Sequence, residues 1–283
     1  MKKLTALLLS CVLVLGLAAC GSEPAPAPSE EAAPSEAAPE EGAKKIKVGA
    51  TSVPHAEILE QVKPILAEKG VELEIVVFDD YVLPNNALDA GDIDANYFQH
   101  KPYLNMFNEK NGTKLVPVGD IHYEPLGIYP GKASDLANIA DGAQIGVPND
   151  GSNEARALYL LEAQGLIKVN HEMGYEATKE DITENPHKID IKELDADKIP
   201  SLIVDLDFAV VNGNYAIASG INETVLASED KESEAAKTYA NVIAVKEGNE
   251  ENELVKLLLE GLADERVKTF ISEKYQGSVV ALN

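Results

Sequence analysis

Residues 46–78 read IKVGATSVPHAEILEQVKPILAEKGVELEIVVF. The run at 46–50 is short, apolar and β-prone and predicts a first strand, and 72–78 predicts a second. Between them Ile58, Leu59, Val62, Ile65 and Leu66 recur at the spacing of one helical face, so 56–69 predicts a helix ended by Gly70 and kinked at Pro64. Strand, helix and strand in that order make a βαβ unit, which implies a parallel sheet covered by helices.

The alternation continues along the chain. Strands are predicted at 93–96, 114–118, 144–147, 188–191, 208–212 and 242–246, and helices at 85–90, 101–109, 153–164, 214–219, 251–262 and 264–274, with no internal repeat. Before them, MKKLTALLLSCVLVLGLAAC has Lys2 and Lys3 ahead of an apolar run too short to span a bilayer, and Cys20 follows small residues. Residues 1–19 therefore predict a lipoprotein signal peptide and Cys20 the lipidated residue; a plain secretory signal cleaved near Ala19 is the other reading. Residues 21–43 hold six glutamates, five prolines and no basic residue, which makes 20–43 an anchored, extended tether. The remaining 44–283, mixed α/β and exported, suggests two lobes around a ligand cleft: one from about 44–122 plus about 220–283, the other about 123–219.

Composition narrows the function. The net charge of −24, with Arg156 and Arg266 the only arginines, argues against nucleic acid, whose phosphates are bound by Lys and Arg. Both cysteines, Cys11 and Cys20, lie in the first twenty residues, so no disulfide framework exists.

Ligands in open α/β sheets bind beyond the carboxyl ends of strands, and polar and aromatic residues gather there. Tyr81, in DDYVLPNN, either lines a cleft or caps a lobe core. In ANYFQHKPYL, Pro102 suits a first helical turn, placing His100 near the N-cap with Tyr103 on its face; with Phe98 these make an aromatic wall suited to an apolar side chain or a polarisable sulfur, and a capping or core histidine is the plainer alternative. In VPNDGSNEAR, a strand runs through Asn149 and Asn153 into a helix start, a ready anion cradle beside Arg156, whose guanidinium holds a carboxylate bidentately or else joins a surface ion pair. Asn212 ends one strand and Asn241 opens another; their amides suit an ammonium and a carboxylate, or ordinary turn and capping duty.

Taken in order, DYVLPN, GDIDANYFQHKPYL, VPNDGSNEAR, VVNGNYA and YANVIAV resemble the NlpA lipoprotein family over residues 46–283, and the lipobox agrees. The resemblance implies a two-lobed periplasmic-binding-protein (type II) α/β fold that closes over methionine, or over a methionine dipeptide or another amino acid. It implies that Tyr81, Phe98, His100 and Tyr103 surround the methionine side chain, and that Arg156 with Asn153 and Asn149 binds the α-carboxylate. Asn212 and Asn241 bind the amino and carboxylate groups from the hinge side. Implied with it are a monomer held at the outer face of a membrane by lipid on Cys20, and a permease with a cytoplasmic ATPase. Neither cofactor nor catalytic residue is expected.

Two other readings are weaker. His55, His100 and His122, with Asp120 and Glu124, are ligand types for zinc or manganese without compact spacing. For an enzyme there is no GxSxG elbow and no P-loop.

Overall fold

The computed structural model describes residues 44–232 and 237–282. The expected signal peptide at 1–19, the lipidated Cys20 and the tether up to residue 43 lie outside the described residues. Among the described residues no helix is long and apolar enough to cross a membrane.

The βαβ unit is the frame of a first sheet. Strands β1 (Lys44–Thr51) and β2 (Val71–Phe78) pair in parallel with Ile46 opposite Leu73 and Val48 opposite Ile75. Helix α1 (Glu57–Ala67) contains Pro64 and buries all five residues of its expected apolar face. After α2 (Leu83–Ala90) comes β3 (Ala95–His100), parallel to β1 on its other side. The strand expected at 93–96 thus begins later and runs on through Tyr97, Phe98, Gln99 and His100, every residue buried. Apolar periodicity misses it because its polar side chains are satisfied by one another: Asn85, Asn96 and Gln99 form a closed amide cluster with bonds of 2.7–2.9 Å.

Helix α3 (Lys101–Asn111) leads to β4 (Leu115–Tyr123), where the chain leaves this sheet for a second one. The second sheet holds β5 (Gly127–Pro130) and β6 (Gln144–Pro148), and helix α4 (Gly151–Ala163) follows β6. A small antiparallel pair, β7 (Lys168–Val169) with β8 (Ile182–Glu184), precedes β9 (Asp190–Leu194), α5 (Ile199–Leu202), β10 (Phe208–Val211), α6 (Gly213–Ala218) and β11 (Ala227–Ser228). The chain then returns to the first sheet as β12 (Asn241–Lys246), followed by α7 (Glu253–Leu262), α8 (Glu265–Tyr275) and β13 (Val280–Ala281).

Strand order is β13-β4-β12-β3-β1-β2 in the first sheet and β11-β5-β10-β6-β9 in the second. Strand β12 runs antiparallel between β3 and β4, while β6 is parallel to both β9 and β10. Each sheet has its own core, built on Ile46, Val48, Leu59 and Leu258 in the first and on Ile128, Ile145, Leu158 and Phe208 in the second. Strand β5 was not expected from the sequence: it is four residues, GIYP, without polar alternation, preceded by Pro125 and ended by Pro130.

The chain crosses between sheets twice, at 124–126 and between Ser228 and Asn241. Because β11 pairs with β5, residues 227–228 sit with the second sheet, beyond the boundary expected near 220.

Candidate functional site

Register brings the site together. Asn241, the first residue of β12, stands opposite His100 on β3 and His122 on β4. Facing this row are the start of α4 and the β10–α6 turn of the second sheet. Between them is a pocket lined by Tyr81, Phe98, Gln99, His100, Tyr103, Glu124, Asn153, Arg156, Asn212, Gly213, Asn214 and Asn241.

One wall is aromatic. The Tyr81 ring lies 5.7 Å from both Phe98 and Tyr103, tilted to the first and edge-on to the second. Two hydroxyls fix the wall: Tyr81 donates to Asn214 Oδ1 at 2.6 Å, across to the second sheet, and Tyr103 donates to the Tyr81 carbonyl at 3.0 Å. Such a wall accepts an apolar chain, and ring contacts with a thioether are worth about 0.3–1.5 kcal/mol each.

The other walls are polar. His100 is the N-cap of α3, its Nδ1 accepting the Tyr103 N–H at 3.2 Å. The hydrogen-bond pattern therefore assigns the proton to Nε2, which donates to Asn153 Oδ1 at 3.1 Å. Burial, helped by the Arg156 charge, pushes the His100 pKa down to about 3, so the ring is neutral. Asn153 Oδ1 also accepts from Asn212 Nδ2 at 2.9 Å. That leaves Asn212 Oδ1 buried with no partner among the described residues.

Arg156 is 4% exposed and is not a free fork. Its Nε donates to Glu229 Oε1 at 2.8 Å, and its Nη2 donates to Glu229 Oε2 at 2.5 Å and to the Glu124 carbonyl at 2.9 Å. Its plane lies over Tyr239, 4.2 Å from the ring centroid. Burial opposes the charge, but Glu229 outweighs it and holds the guanidinium ionised. Nη1 alone has no hydrogen-bond partner among the described residues, so it is the donor left for a ligand carboxylate.

The anion cradle expected at the helix start is corrected. Helix α4 begins two residues earlier than expected and is capped by Asp150, whose Oδ1 accepts from the Asn153 N–H at 3.2 Å. The chain's own carboxylate fills the cradle, and Arg156 falls in the second turn. Asn149 is not part of the pocket: its Nδ2 donates to Asp195 at 2.7 Å, on the exposed side. The other eight expected ligand residues all line the pocket.

Behind Asn241 lies a network. Thr51 donates to His55 Nδ1 at 2.7 Å, and His55 Nε2 donates to Asn241 Oδ1 at 3.0 Å, which leaves the Asn241 amide hydrogens for the pocket. In parallel, the Tyr97 hydroxyl donates to His122 Nδ1, and His122 Nε2 donates to Glu124 Oε1 at 2.7 Å. Burial lowers both imidazoles, His55 to about 4 and His122 to about 3. His55, His122 and Glu124 thus offer three buried ligand atoms within 4.8 Å of one another. Every imidazole nitrogen already carries a hydrogen bond, and 2.7 Å between His122 and Glu124 is a hydrogen-bond distance, tighter than two ligands on one zinc at about 2.0–2.2 Å bonds. The other residues of the metal reading lie elsewhere: His100 pairs with Asn153, and Asp120 with Lys101 at 2.7 Å.

Glu229, Tyr239 and Asn214 were not found from the sequence. Glu229 is one of 48 acidic residues and stands in no motif, 73 positions from the arginine it holds. Asn214 and Tyr239 lie within NGNYA and YANV, two positions from Asn212 and Asn241.

Comparison with known proteins agrees with this geometry. The methionine-binding lipoprotein MetQ of Bacillus subtilis is 37% identical over 287 residues, covering 100% of both chains. A nutrient-binding protein from Burkholderia cenocepacia, solved bound to methionine, is 41% identical at a TM-score of 0.80, over 84% of this chain and 100% of that one. An ABC-transporter periplasmic substrate-binding protein from Coxiella burnetii is 37% identical at a TM-score of 0.79, over 84% and 100%. The fold is therefore the two-lobed α/β architecture of periplasmic binding proteins. The family model for NlpA lipoproteins matches residues 46–282, nearly every position described, and by that match this chain belongs to the NlpA lipoprotein family.

Proposed function

We propose that this protein is a lipid-anchored, extracytoplasmic receptor that captures methionine and delivers it to an ABC importer, without catalysing a reaction. The observation that carries the reading is one pocket that joins the Tyr81–Phe98–Tyr103 wall to an unengaged Arg156 Nη1 and an unpartnered Asn212 Oδ1. An apolar sulfur-bearing side chain, a carboxylate and an amine meet those three features in turn. Bonds from first-sheet residues to second-sheet residues, Tyr81 to Asn214 and His100 to Asn153, are the contacts that lobe closure makes. Anchorage through Cys20, a monomeric state, and a permease with its ATPase belong to the same reading.

The test is a thermal-shift screen of protein unfolded and refolded once to strip ligand, against the amino acids, both methionine enantiomers, methionine dipeptides, zinc and manganese. A ligand at about 1,000 times its Kd stabilises by roughly 4 kcal/mol, a shift on the order of 10 °C for a domain of this size. A shift with methionine or its close relatives is expected; a shift with metal alone overturns the reading.

His55 serves through Asn241, so His55→Ala frees that amide to rotate. Losing one ligand hydrogen bond of this kind weakens binding by about tenfold. Calorimetric titration checks it, and unchanged affinity removes His55 from the site's supporting shell.

A further inference from the structure

We propose that Met106 is an oxidative modification site, and that its conversion to the sulfoxide by peroxide loosens the junction between the two sheets and so weakens ligand binding. This rests on the reading of the protein as a receptor that holds its ligand with the two lobes drawn together.

Sulfur is scarce in this chain. Both cysteines precede residue 21, so Met106 and Met173 carry the only sulfur atoms of residues 44–283. The two thioethers stand in different settings. Met173 lies between β7 and β8, in a segment tied to α4 by the Tyr159 hydroxyl, and is 40% exposed. Met106 is on α3, partly buried, and its side chain reaches Gly151, the first residue of α4. A Cβ at Gly151 would overlap the Met106 methyl group and stand 3.5 Å from the sulfur, so the thioether lies directly on the α4 backbone. Helix α3 follows a strand of the first sheet and α4 a strand of the second. The contact therefore spans the same junction as the His100–Asn153 bond.

A small oxidant has two ways in. Met106 borders one surface groove with Tyr103, Phe107 and Ser152, and a second with Lys101, Met173 and Tyr175. Its sulfur donates a lone pair to one oxygen of hydrogen peroxide and the O–O bond breaks. The proton on the transferred oxygen leaves with the departing hydroxide as water, so sulfur is oxidised by two electrons and the peroxide is reduced. The product is polar and chiral where the thioether was apolar and flexible. Its oxygen needs a donor or water, and the α4 start is poor in both. Asn153 already donates its backbone N–H and its Nδ2 to Asp150 Oδ1, at 3.2 and 2.8 Å. Asp150 borders the same groove as a further acceptor, its carboxyl pKa raised by burial. Drawing the two helices together over a sulfoxide thus strips an oxygen of water without replacing it. A smaller closed fraction lowers the apparent affinity in proportion.

The test treats the full chain in detergent with hydrogen peroxide, then removes the oxidant with catalase and desalting before any ligand is added. Peptide mass spectrometry locates the added oxygen, and calorimetric titration with L-methionine compares each protein with its own untreated form. In Met173→Leu protein, Met106 is the one oxidisable methionine of the folded part. That protein is expected to gain an oxygen at Met106 and to lose ~tenfold or more in affinity, the order of effect of forcing an extra atom into a packed contact. A methionine sulfoxide reductase, which releases the oxygen as water while a dithiol becomes a disulfide, is expected to restore it. Met106→Leu, which nearly conserves volume, is expected to oxidise at Met173 and to change by less than ~twofold on treatment. Oxidised Met173→Leu protein that binds like its untreated form overturns the proposal. So does an equal loss in both variants, or a Met106 that stays unoxidised at a peroxide dose that fully oxidises Met173. Should Met106→Leu not fold, the reductase step on Met173→Leu decides alone. Protein that ignores methionine but binds another ligand, with the same loss on oxidation of Met106, sinks the methionine reading and leaves the modification site standing. Binding of no ligand overturns both.

Discussion

Arg156→Ala abolishes tight ligand binding and destabilises the fold at the same time. The guanidinium joins three things: the pocket through Nη1, Glu229 through Nε and Nη2, and the first crossover through the Glu124 carbonyl. Its side chain and that of Glu229 are 5% and 10% exposed, so removal strands a buried carboxylate. Breaking such a pair costs about 3–5 kcal/mol in general. Here Glu229 keeps bonds from the Tyr123 hydroxyl at 2.6 Å and the Leu126 N–H at 2.9 Å, which favours the lower end, about 3 kcal/mol. Loss of the carboxylate's charged donor weakens binding by a further factor of at least ~100. The two effects separate in the double variant Arg156→Ala/Glu229→Gln. Denaturant unfolding is expected to recover most of the lost stability, because no unpaired charge remains, while calorimetry finds binding still absent. Recovery of binding in the double variant would mean that Arg156 serves only to neutralise Glu229.

The same two glutamates explain what the sequence showed and what it hid. The βαβ unit was legible because burial there follows side-chain periodicity, and all five apolar positions of α1 are buried. Eight of the nine expected ligand residues line the pocket because most of them sit near strand ends and helix starts, where residue type and local geometry are linked. Asn149 had that local setting as well, yet its side chain turns to Asp195, a partner 46 positions away that no local pattern announces. Glu124 and Glu229 stand on the two crossovers, next to the sheets they join. Their importance comes from desolvation and from partners far along the chain, and composition alone makes them two carboxylates among many. Arg156 drew notice through its rarity, but its buried pairing was legible only once both crossovers had been placed. The run Tyr97 to His100 was hidden for the opposite reason, since buried polar residues satisfied by one another give no hydrophobic signal.

Mild acid destabilises this protein while leaving the histidines of its folded pocket in one protonation state. His55, His100 and His122 are buried and neutral, with pKa values lowered from 6.5 to about 4, 3 and 3, chiefly because burial penalises the imidazolium. In the unfolded chain each titrates near 6.5, so the unfolded state binds more protons at every pH between 6.5 and the folded values. Stability is therefore intact above 6.5 and is lost as pH falls through that window, by up to about 1.4 kcal/mol per pH unit for each histidine. From pH 7 to 5 the three together amount to about 6 kcal/mol, comparable to the whole stability of many domains. Glu154, raised to about 7 by burial, holds its proton better when folded and offsets part of this, as do Glu124 and Asp150, which burial also raises. A net loss of a few kcal/mol is left, visible as a lower urea midpoint at pH 5 than at pH 7.5. Calorimetric unfolding near pH 5.5 in buffers of different ionisation enthalpy is expected to show net proton uptake. Binding behaves differently because the imidazoles that touch or support the pocket keep one protonation state down to about pH 4: His100 still donates to Asn153, and His55 still donates to Asn241. The histidines thus add no pH dependence to the affinity of folded molecules between pH 5 and 8, and a fall toward pH 5 reports protonation of Glu124, whose carboxyl burial raises. In Glu124→Gln protein, an affinity that falls tenfold across that range while the fold persists would show that one of these histidines titrates in the native state.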